Sequence, residues 1–369
     1  MDTVDVAIRG QGPVGMALAL ALSRQGLTVG VVGREPDRAA APDIRAYALN
    51  AAARALLAEL KVWDALPADA VTAVDDMRVE GDRDGARLDF SAWQQGAEAL
   101  AWIVDAAELD AALQAALRFA PHVQRSEREP PAALVALAEG KDSASRRARG
   151  VAFERSAYGQ TAVAARLVAS RPHAHVARQW FRSPDILALL PLDRPRPGAS
   201  YALVWSLPAE AARTLLTAPV DEFEAALNEA CGDAAGRLSL AGERAGWPLS
   251  VARADPLCGP GWVLLGDAAH VVHPLAGQGL NLGLADVAAL VRVIAEREPW
   301  RALGDEILLR RYARARALPT RAMAAVTDGL LHLFAADQPL LKEFRNRGLS
   351  LLNHLAPLKR ALTARAIDA

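Results

Sequence analysis

The sequence predicts an α/β fold in which a parallel, nucleotide-binding half carries an inserted antiparallel sheet and closes in a run of helices. Three observations predict it. The chain opens with an apolar strand, a glycine-rich turn and an apolar helix in succession. Between residues 163 and 207 it breaks into short strands punctuated by Pro, Gly and Ser. After Ala302 the pattern is helical. At 369 residues there is enough chain for more than one core.

Residues 4–8 alternate and are rich in β-branched side chains, which predicts a short buried strand. Gly10-Gln11-Gly12-Pro13-Val14-Gly15 follows as GxGxxG, then an apolar run over 16–22 predicts a helix, and 27–32 a second strand. In this order the motif has a physical meaning. Gly10 permits the tight turn, Gly12 lets backbone approach a pyrophosphate, and Gly15 lets helix and strand pack closely. The helix start adds free N–H groups and the positive end of its dipole. The unit is therefore Rossmann-like and predicts dinucleotide binding. One partner is missing: the second strand should end in an acid for the ribose hydroxyls, but Gly33 stands there and Glu35 is the nearest substitute.

Composition excludes several classes. Lys and Arg number 42 against 43 Asp and Glu, a net charge of −1, so no nucleic-acid partner is expected. Two cysteines, Cys231 and Cys258, build neither a disulfide framework nor a zinc site and read as core thiols. No apolar stretch approaches the ~20 residues of a spanning helix. The run over 14–22 is too short, and Asp2 and Asp5 replace the basic start of a signal peptide. A cytoplasmic protein is expected, with room for peripheral contact at the inner face of a membrane.

The second informative stretch runs Gly261-Trp262-Val263-Leu264-Leu265-Gly266-Asp267-Ala268-Ala269-His270-Val271-Val272-His273-Pro274-Leu275-Ala276-Gly277-Gln278-Gly279-Leu280-Asn281. Residues 262–265 predict a buried strand that Gly266-Asp267 ends, and Gly277 and Gly279 open a helix to about Ile294. An acid at a strand end can bond sugar-like hydroxyls or simply cap a helix. A glycine-rich helix start can hold a phosphate or the electron-rich edge of a ring. This stretch resembles the FAD-dependent aromatic hydroxylases of the para-hydroxybenzoate hydroxylase type, and within them the ubiquinone-biosynthesis branch with its GDAAHxxHPxxGQGxN pattern. The resemblance implies Asp267 on the ribityl chain of FAD, with Pro274, Gly277, Gln278, Gly279, Leu280 and Asn281 beside the isoalloxazine.

Other segments follow the same branch. Arg45-Ala46-Tyr47-Ala48-Leu49-Asn50 resembles its R-A-x-A-L segment, which implies Arg45 near FAD. Trp102-Ile103-Val104-Asp105 with Leu109 and Leu113 resembles the strand and helix that follow, and Tyr158-Gly159-Gln160-Thr161-Ala162 and Leu189-Leu190-Pro191-Leu192 its substrate sheet. The family's DG motif is altered. Glu139 stands where Asp is usual and Leu137 where Gly is, while Gly140, Ser143 and Arg146 survive; the stretch from Phe119 to Ala132 looks shortened. Ser143, Arg146 and Arg147 could equally form a solvated basic surface.

These readings divide the chain. Residues 1–66, 98–150 and 252–301 form a discontinuous FAD domain, 67–97 and 151–251 a substrate domain, and 302–369 a helical region. Strands are predicted at 163–170, 175–181, 186–190 and 201–207, and helices at 209–216 and 221–230; residues 247–252 return the chain to the nucleotide domain. Arg310, Arg311, Arg314, Arg316 and Arg321 crowd the first C-terminal helix. Leu349, Leu352, Leu355, Leu358 and Leu362 recur later at steps of three or four around Pro357. This region reads as an amphipathic cap or as a basic, apolar surface for a membrane.

The resemblance implies a chemistry: NAD(P)H as electron donor, O₂ as co-substrate, and attack of a flavin C4a-hydroperoxide on the ring of a polyprenylated phenol. The cofactor carries the hard step, so no triad or metal is called for and no catalytic base is named. His270 and His273 lack a third ligand and belong to the flavin motif. His175, Trp180 and Tyr201 lie on the candidate substrate sheet. The enzymatic alternative is another member of the flavin superfamily: another FAD-dependent aromatic hydroxylase acting on another apolar aromatic substrate, a prenyl reductase or a halogenase. The halogenase is disfavoured because Lys61, Lys141, Lys342 and Lys359 sit in no halogenase-like pattern, and a plain dehydrogenase leaves 267–281 without purpose. The rival of another class is a non-catalytic flavoprotein-like scaffold binding partner enzymes of a ubiquinone-biosynthesis complex, motivated by Gly33 and Glu139.

Overall fold

Five parallel strands make most of a six-stranded sheet. The computed structural model describes residues 3–33, 43–81, 87–272 and 278–335, with side chains excepted at 278 and from 323 onward. The sheet runs in the order Cys258–Gly259, Trp262–Leu264, Ala132–Leu137, Val4–Arg9, Val29–Val32, Val123–Ser126, antiparallel only at its first pair. In Val4–Arg9 the residues Val6, Ala7 and Ile8 are buried on both faces, while Asp5 at its start accepts from Thr28 N–H. The helix Pro13–Arg24 starts with Pro13, whose missing N–H costs nothing in the first turn. It packs against the sheet with Met16, Leu18 and Leu22 almost fully buried. The short stretch between Phe119 and Ala132 still supplies the edge strand Val123–Ser126.

An eight-stranded sheet forms the second layer, antiparallel except where Val176–Arg182 runs parallel to Asp76–Glu80. Its centre is two long strands, Ala152–Ala169 and Leu238–Asp255, paired with each other and flanked by Ser200–Pro208, Asp185–Leu192 and Val176–Arg182. Gly159, at φ +68°, marks the register shift between Ala157 and Thr161. That bulge is why the local pattern begins a strand only at 163. Residues 247–252 do not yet return the chain to the nucleotide half: they sit inside Leu238–Asp255, and the return comes at Cys258–Gly259.

The helices Ala209–Thr217 and Val220–Cys231 cover one face of this sheet, burying Phe223 and Leu227 against Leu203, Trp205 and Tyr201. The other face meets a small sheet of Ala46–Leu49, Ala101–Asp105 and Val71–Val74, through Ala177, Leu192 and Ala202 against Ala48 and Ile103. The helices Gln278–Ala295 and Glu306–Ala335 pack onto the core of the six-stranded sheet. Cys231 and Cys258 are free and buried, and burial pushes the Cys231 thiol up to about 12. No described helix is long and apolar enough to cross a membrane. The leucine series from 349 to 362 lies outside the described residues.

Candidate functional site

Three loops meet at the carboxyl ends of the parallel strands, the usual ligand side of such a sheet. They follow Val4–Arg9, Ala132–Leu137 and Trp262–Leu264, and are laced by backbone bonds from Ala138 N–H to Arg9 O (2.8 Å) and Leu265 N–H to Leu137 O (3.0 Å). Gly10, at φ +117°, has room for no side chain: a Cβ there would lie 2.2 Å from Ala138 O. A Cβ on Gly15 would lie 2.2 Å from Gly10 O. Around Gly12 there is open space. The helix behind it has no side-chain cap and no acid in its first turn, so its free N–H groups face that space. Val14 wedges between Gly266 and Gly283, whose added Cβ atoms would meet its methyls at 3.2 and 2.5 Å. Val14 is thus a spacer that joins the two glycine clusters.

Glu139 is fully engaged. It accepts from Arg9 Nε (3.0 Å), Ser143 Oγ (2.5 Å), Ser145 N–H (3.0 Å) and Ser145 Oγ (2.9 Å). Despite its burial, these bonds hold the carboxyl below the ordinary range. Ser143 caps Ala144–Ala148, and its side chain is buried. Arg146 is only 3% exposed, so the solvated-surface alternative fails for it and for Ser143. Its guanidinium lies 3.4 Å from the Phe153 ring centroid and donates to Ala268 O and Lys141 O, both at 2.9 Å. Only Arg147 is a surface residue. The altered motif therefore ties Arg9, just before the Gly10–Gly15 loop, to the turn that carries Asp267.

Asp267 sits in the single turn Gly266–Ala268 and caps nothing. Its side chain is open to solvent and has no hydrogen-bond partner among the described residues. Burial of the turn raises its carboxyl above the ordinary range, opposed by His270, Lys141 and Arg45. Beneath it lies Asp286, wholly buried, accepting from Gly266 N–H (2.9 Å), His270 Nε2 (2.7 Å) and Arg316 Nε (2.6 Å). Desolvation works against Asp286, but His270 and Arg316 keep it ionised and low. His270 is raised by the same acid against its own burial. Tyr312 adds a bond from its hydroxyl to Leu264 O (2.9 Å).

Asn281 is spent within the protein: Oδ1 accepts from Asn50 N–H (3.1 Å) and Nδ2 donates to Ala48 O (2.8 Å). Leu280 packs against the main core, and Gly279 has open space around its Cα. Glu35, Pro274 and Gly277 lie outside the described residues, as does the Gln278 side chain. Arg45 pairs with Asp43 (2.6 Å), an interaction that raises its pKa, and lies 5.8 Å from the ring centroids of Tyr47 and Trp247. Its carbonyl accepts from Arg166, which also pairs with Asp105 (2.9 Å).

The face of the large sheet turned toward Arg45 carries Arg166 and Trp247. By strand alternation it also carries Ala162, Ala164, Ala188, Val204 and Ala245, whose registers bring them side by side. Trp180 and Tyr201 belong to the opposite face, under the covering helices; Trp180 donates to Glu80 (2.8 Å). His175 stands exposed before its strand with Nδ1 at Ala73 O (3.0 Å). Trp180 and Tyr201 therefore do not share the face that meets Arg45. Among the described residues no cluster could hold a metal.

The open Gly12 loop, the unpartnered Asp267 and the buried, unpartnered Gln11 Nε2 fit an elongated ligand with phosphates at one end and hydroxyls at the other. Sequence reasoning missed Asp286 and Arg316. The signal for Asp286 was a lone acid within the apolar run 280–294; for Arg316 there was none among five neighbouring arginines.

A family model for an FAD binding domain matches residues 3–108 and 97–327. Rhodospirillum rubrum ubiquinone hydroxylase UbiL is 31% identical, covering 98% of this chain and 89% of its own. Escherichia coli 3-demethoxyubiquinol 3-hydroxylase is 29% identical over 96% of both chains. Among solved structures, Pseudomonas aeruginosa PqsL, described as a probable FAD-dependent monooxygenase, matches with a TM-score of 0.77 at 21% identity, covering 94% of this chain and 99% of its own. That last likeness is one of fold.

Proposed function

The chain belongs to the FAD binding domain family and is an FAD-dependent monooxygenase; from that premise we propose that it hydroxylates the ring of a polyprenylated phenol in ubiquinone biosynthesis. The observation that carries the FAD part of the reading is Asp267, an open acid braced from beneath and joined through Val14 to the Gly10–Gly15 loop. The substrate class rests on the likeness to UbiL and the Escherichia coli hydroxylase. In this reading Gly10, Gly12, Pro13, Val14 and Gly15 frame the pyrophosphate and Asp267 holds the ribityl hydroxyls. Arg45 lies beside the flavin. Pro274, Gly277, Gln278, Gly279 and Leu280 line the ring, while Asn281 positions their helix on Ala46–Leu49.

Bound flavin would supply the redox and oxygen chemistry. The protein's task is to orient the phenol and exclude water. The phenol ring is proposed to lie on the Arg45 side of the sheet, where Ala188, Val204 and Ala245 present small side chains beside one another. NAD(P)H and O₂ are the proposed co-substrates: ring C–H, O₂, NAD(P)H and H⁺ give ring C–OH, NAD(P)⁺ and water.

A lipid-tailed substrate needs an enzyme that meets a membrane. Ile307, Arg310, Arg314, Leu318 and Arg321 share one face of Glu306–Ala335, with Ile307 59% and Leu318 76% exposed. With Arg253, the arginines of this face line a cavity of about 400 Å³. We propose that face as the peripheral membrane contact. Arg316, 7% exposed and bound to Asp286, does not belong to it, and Arg311 is half-buried and paired with Glu298. Arg310 lies on the face but pairs with Glu306 (2.7 Å), so Arg314 and Arg321 are its main basic residues.

The test is phenol-dependent NAD(P)H oxidation by the FAD-loaded protein, using an isoprenylated phenol in micelles under ¹⁸O₂. The expected result is one ¹⁸O in the product ring. Oxidation that ignores the phenol overturns the substrate, and a protein that takes up no FAD supports the scaffold.

A further inference from the structure

The strand Val29–Val32 ends at Gly33, where a dinucleotide fold ordinarily places the acid that binds the ribose diol. Gly33 has φ +151° and donates its N–H to Ser126 O (3.1 Å), so it is fixed in the sheet rather than turned away. The volume a side chain would use there is already filled. A Cβ on Gly33 would lie 3.0 Å from Gln11 Nε2 and 3.3 Å from both Gln11 Cδ and Cγ. Gln11 belongs to the glycine loop of the first strand, yet its carboxamide lies across the end of the second. Its Nε2 is buried with no hydrogen-bond partner, an arrangement proteins seldom leave unmet.

We infer that Gln11 replaces the missing acid and binds the ribose hydroxyls of the adenosine half of FAD. The chemistry suits the position. A ribose diol offers both donors and acceptors, and a carboxamide can answer both, where a carboxylate only accepts. Gly33 then favours this arrangement: a Cβ there would crowd Gln11 by a few tenths of an ångström, and φ +151° is a conformation that L side chains rarely adopt. The inference rests on FAD as the cofactor and goes beyond it, since neither Gln11 nor Gly33 has an assigned role in holding it.

The experiment titrates flavin-stripped protein with FAD, FMN and ADP, following flavin fluorescence and, for ADP, calorimetry. Gln11→Ala should weaken FAD and ADP about tenfold, the loss of one or two ribose hydrogen bonds, and leave FMN unchanged because it lacks adenosine. Gln11→Glu, which restores an acid over Gly33, should bind FAD within about threefold of the parent. Glu35→Ala should leave ADP affinity unchanged. The inference is overturned if Gln11→Ala binds FAD like the parent, if FMN and FAD weaken together, or if Glu35→Ala alone loses ADP. Failure of the parent protein to bind FAD at all would instead remove the FAD assignment beneath it.

Discussion

The two ends of the proposed cofactor cleft are built on opposite principles. At the adenosine end the protein offers backbone and one neutral amide: Gly10 pressed against Ala138, an uncapped helix start, and Gln11 over Gly33. At the ribityl end it offers a charged side chain, Asp267, on a turn braced by the buried group Asp286, His270 and Arg316. A backbone contact is placed by the sheet itself and asks only that nothing protrude. A side-chain contact needs its own backbone held still, and here buried charge does the holding. The adenosine end should therefore fail by collision, and the ribityl end by electrostatics that respond to pH.

The largest effect is expected at the buried acid. Asp286→Ala leaves Arg316 without its counter-charge and His270 without its hydrogen-bond partner at depth, at a cost of about 3–5 kcal/mol in urea unfolding. Asp286→Asn keeps an acceptor for Gly266 N–H and should recover part of this. Equal stability of the Ala variant and the parent would mean that the turn is held by packing alone.

Next comes the collision. Gly10→Ala sets a Cβ against Ala138 O and strains a residue at φ +117°; about 3 kcal/mol is expected, with little bound flavin. Its loss should not vary with pH between 5 and 8, since no titrating group is disturbed. Asp267→Ala is the counterpart at the other end: the fold should persist and FAD affinity fall about 10- to 100-fold. Normal flavin content in this variant would refute the ribityl role.

The pH dependence separates the ends further. His270 is raised by Asp286, against burial and against Arg316, with Asp267 adding to the raise. Its contribution is complete below the unfolded value of about 6.5 and is lost as pH rises through the folded value. Asp286 is lowered, so its contribution is present above about 3.9 and lost as pH falls through its folded value. Stability of the parent should thus decline on the alkaline side, and His270→Gln should flatten that decline.

The contrast also marks what the sequence could reveal. The turns at Gly10 to Gly15 and at Gly266-Asp267, and the helix that follows Gly279, were readable because glycine and acid spacing encode local geometry directly. Asp286 with Arg316 was not, since the pair spans 30 residues and depends on how two helices pack. The faces of Trp180 and Tyr201 were equally hidden: strand register decides them, and a shift of one residue reverses the answer. Gly33 was legible as an anomaly, but its explanation lay in Gln11, which only the fold brings above it.

The smallest expected effect tests whether the altered loop is a weakened site or a completed one. Glu139 stands where the family carries Asp, one methylene shorter. At its present length it reaches Arg9 on one side and the Ser143 to Ser145 helix start on the other, so the two glycine clusters are bridged through Arg146 and Ala268. Glu139→Asp cannot keep both ends and should release Arg9 while retaining the cap. The cost should be about 1 kcal/mol in thermal or urea unfolding, with FAD affinity lowered no more than a few-fold. A gain in FAD affinity would show Glu139 to be a defect in the cleft. A small loss would show that the longer acid and its arginine form a working substitute, as Gln11 does for the missing acid at Gly33.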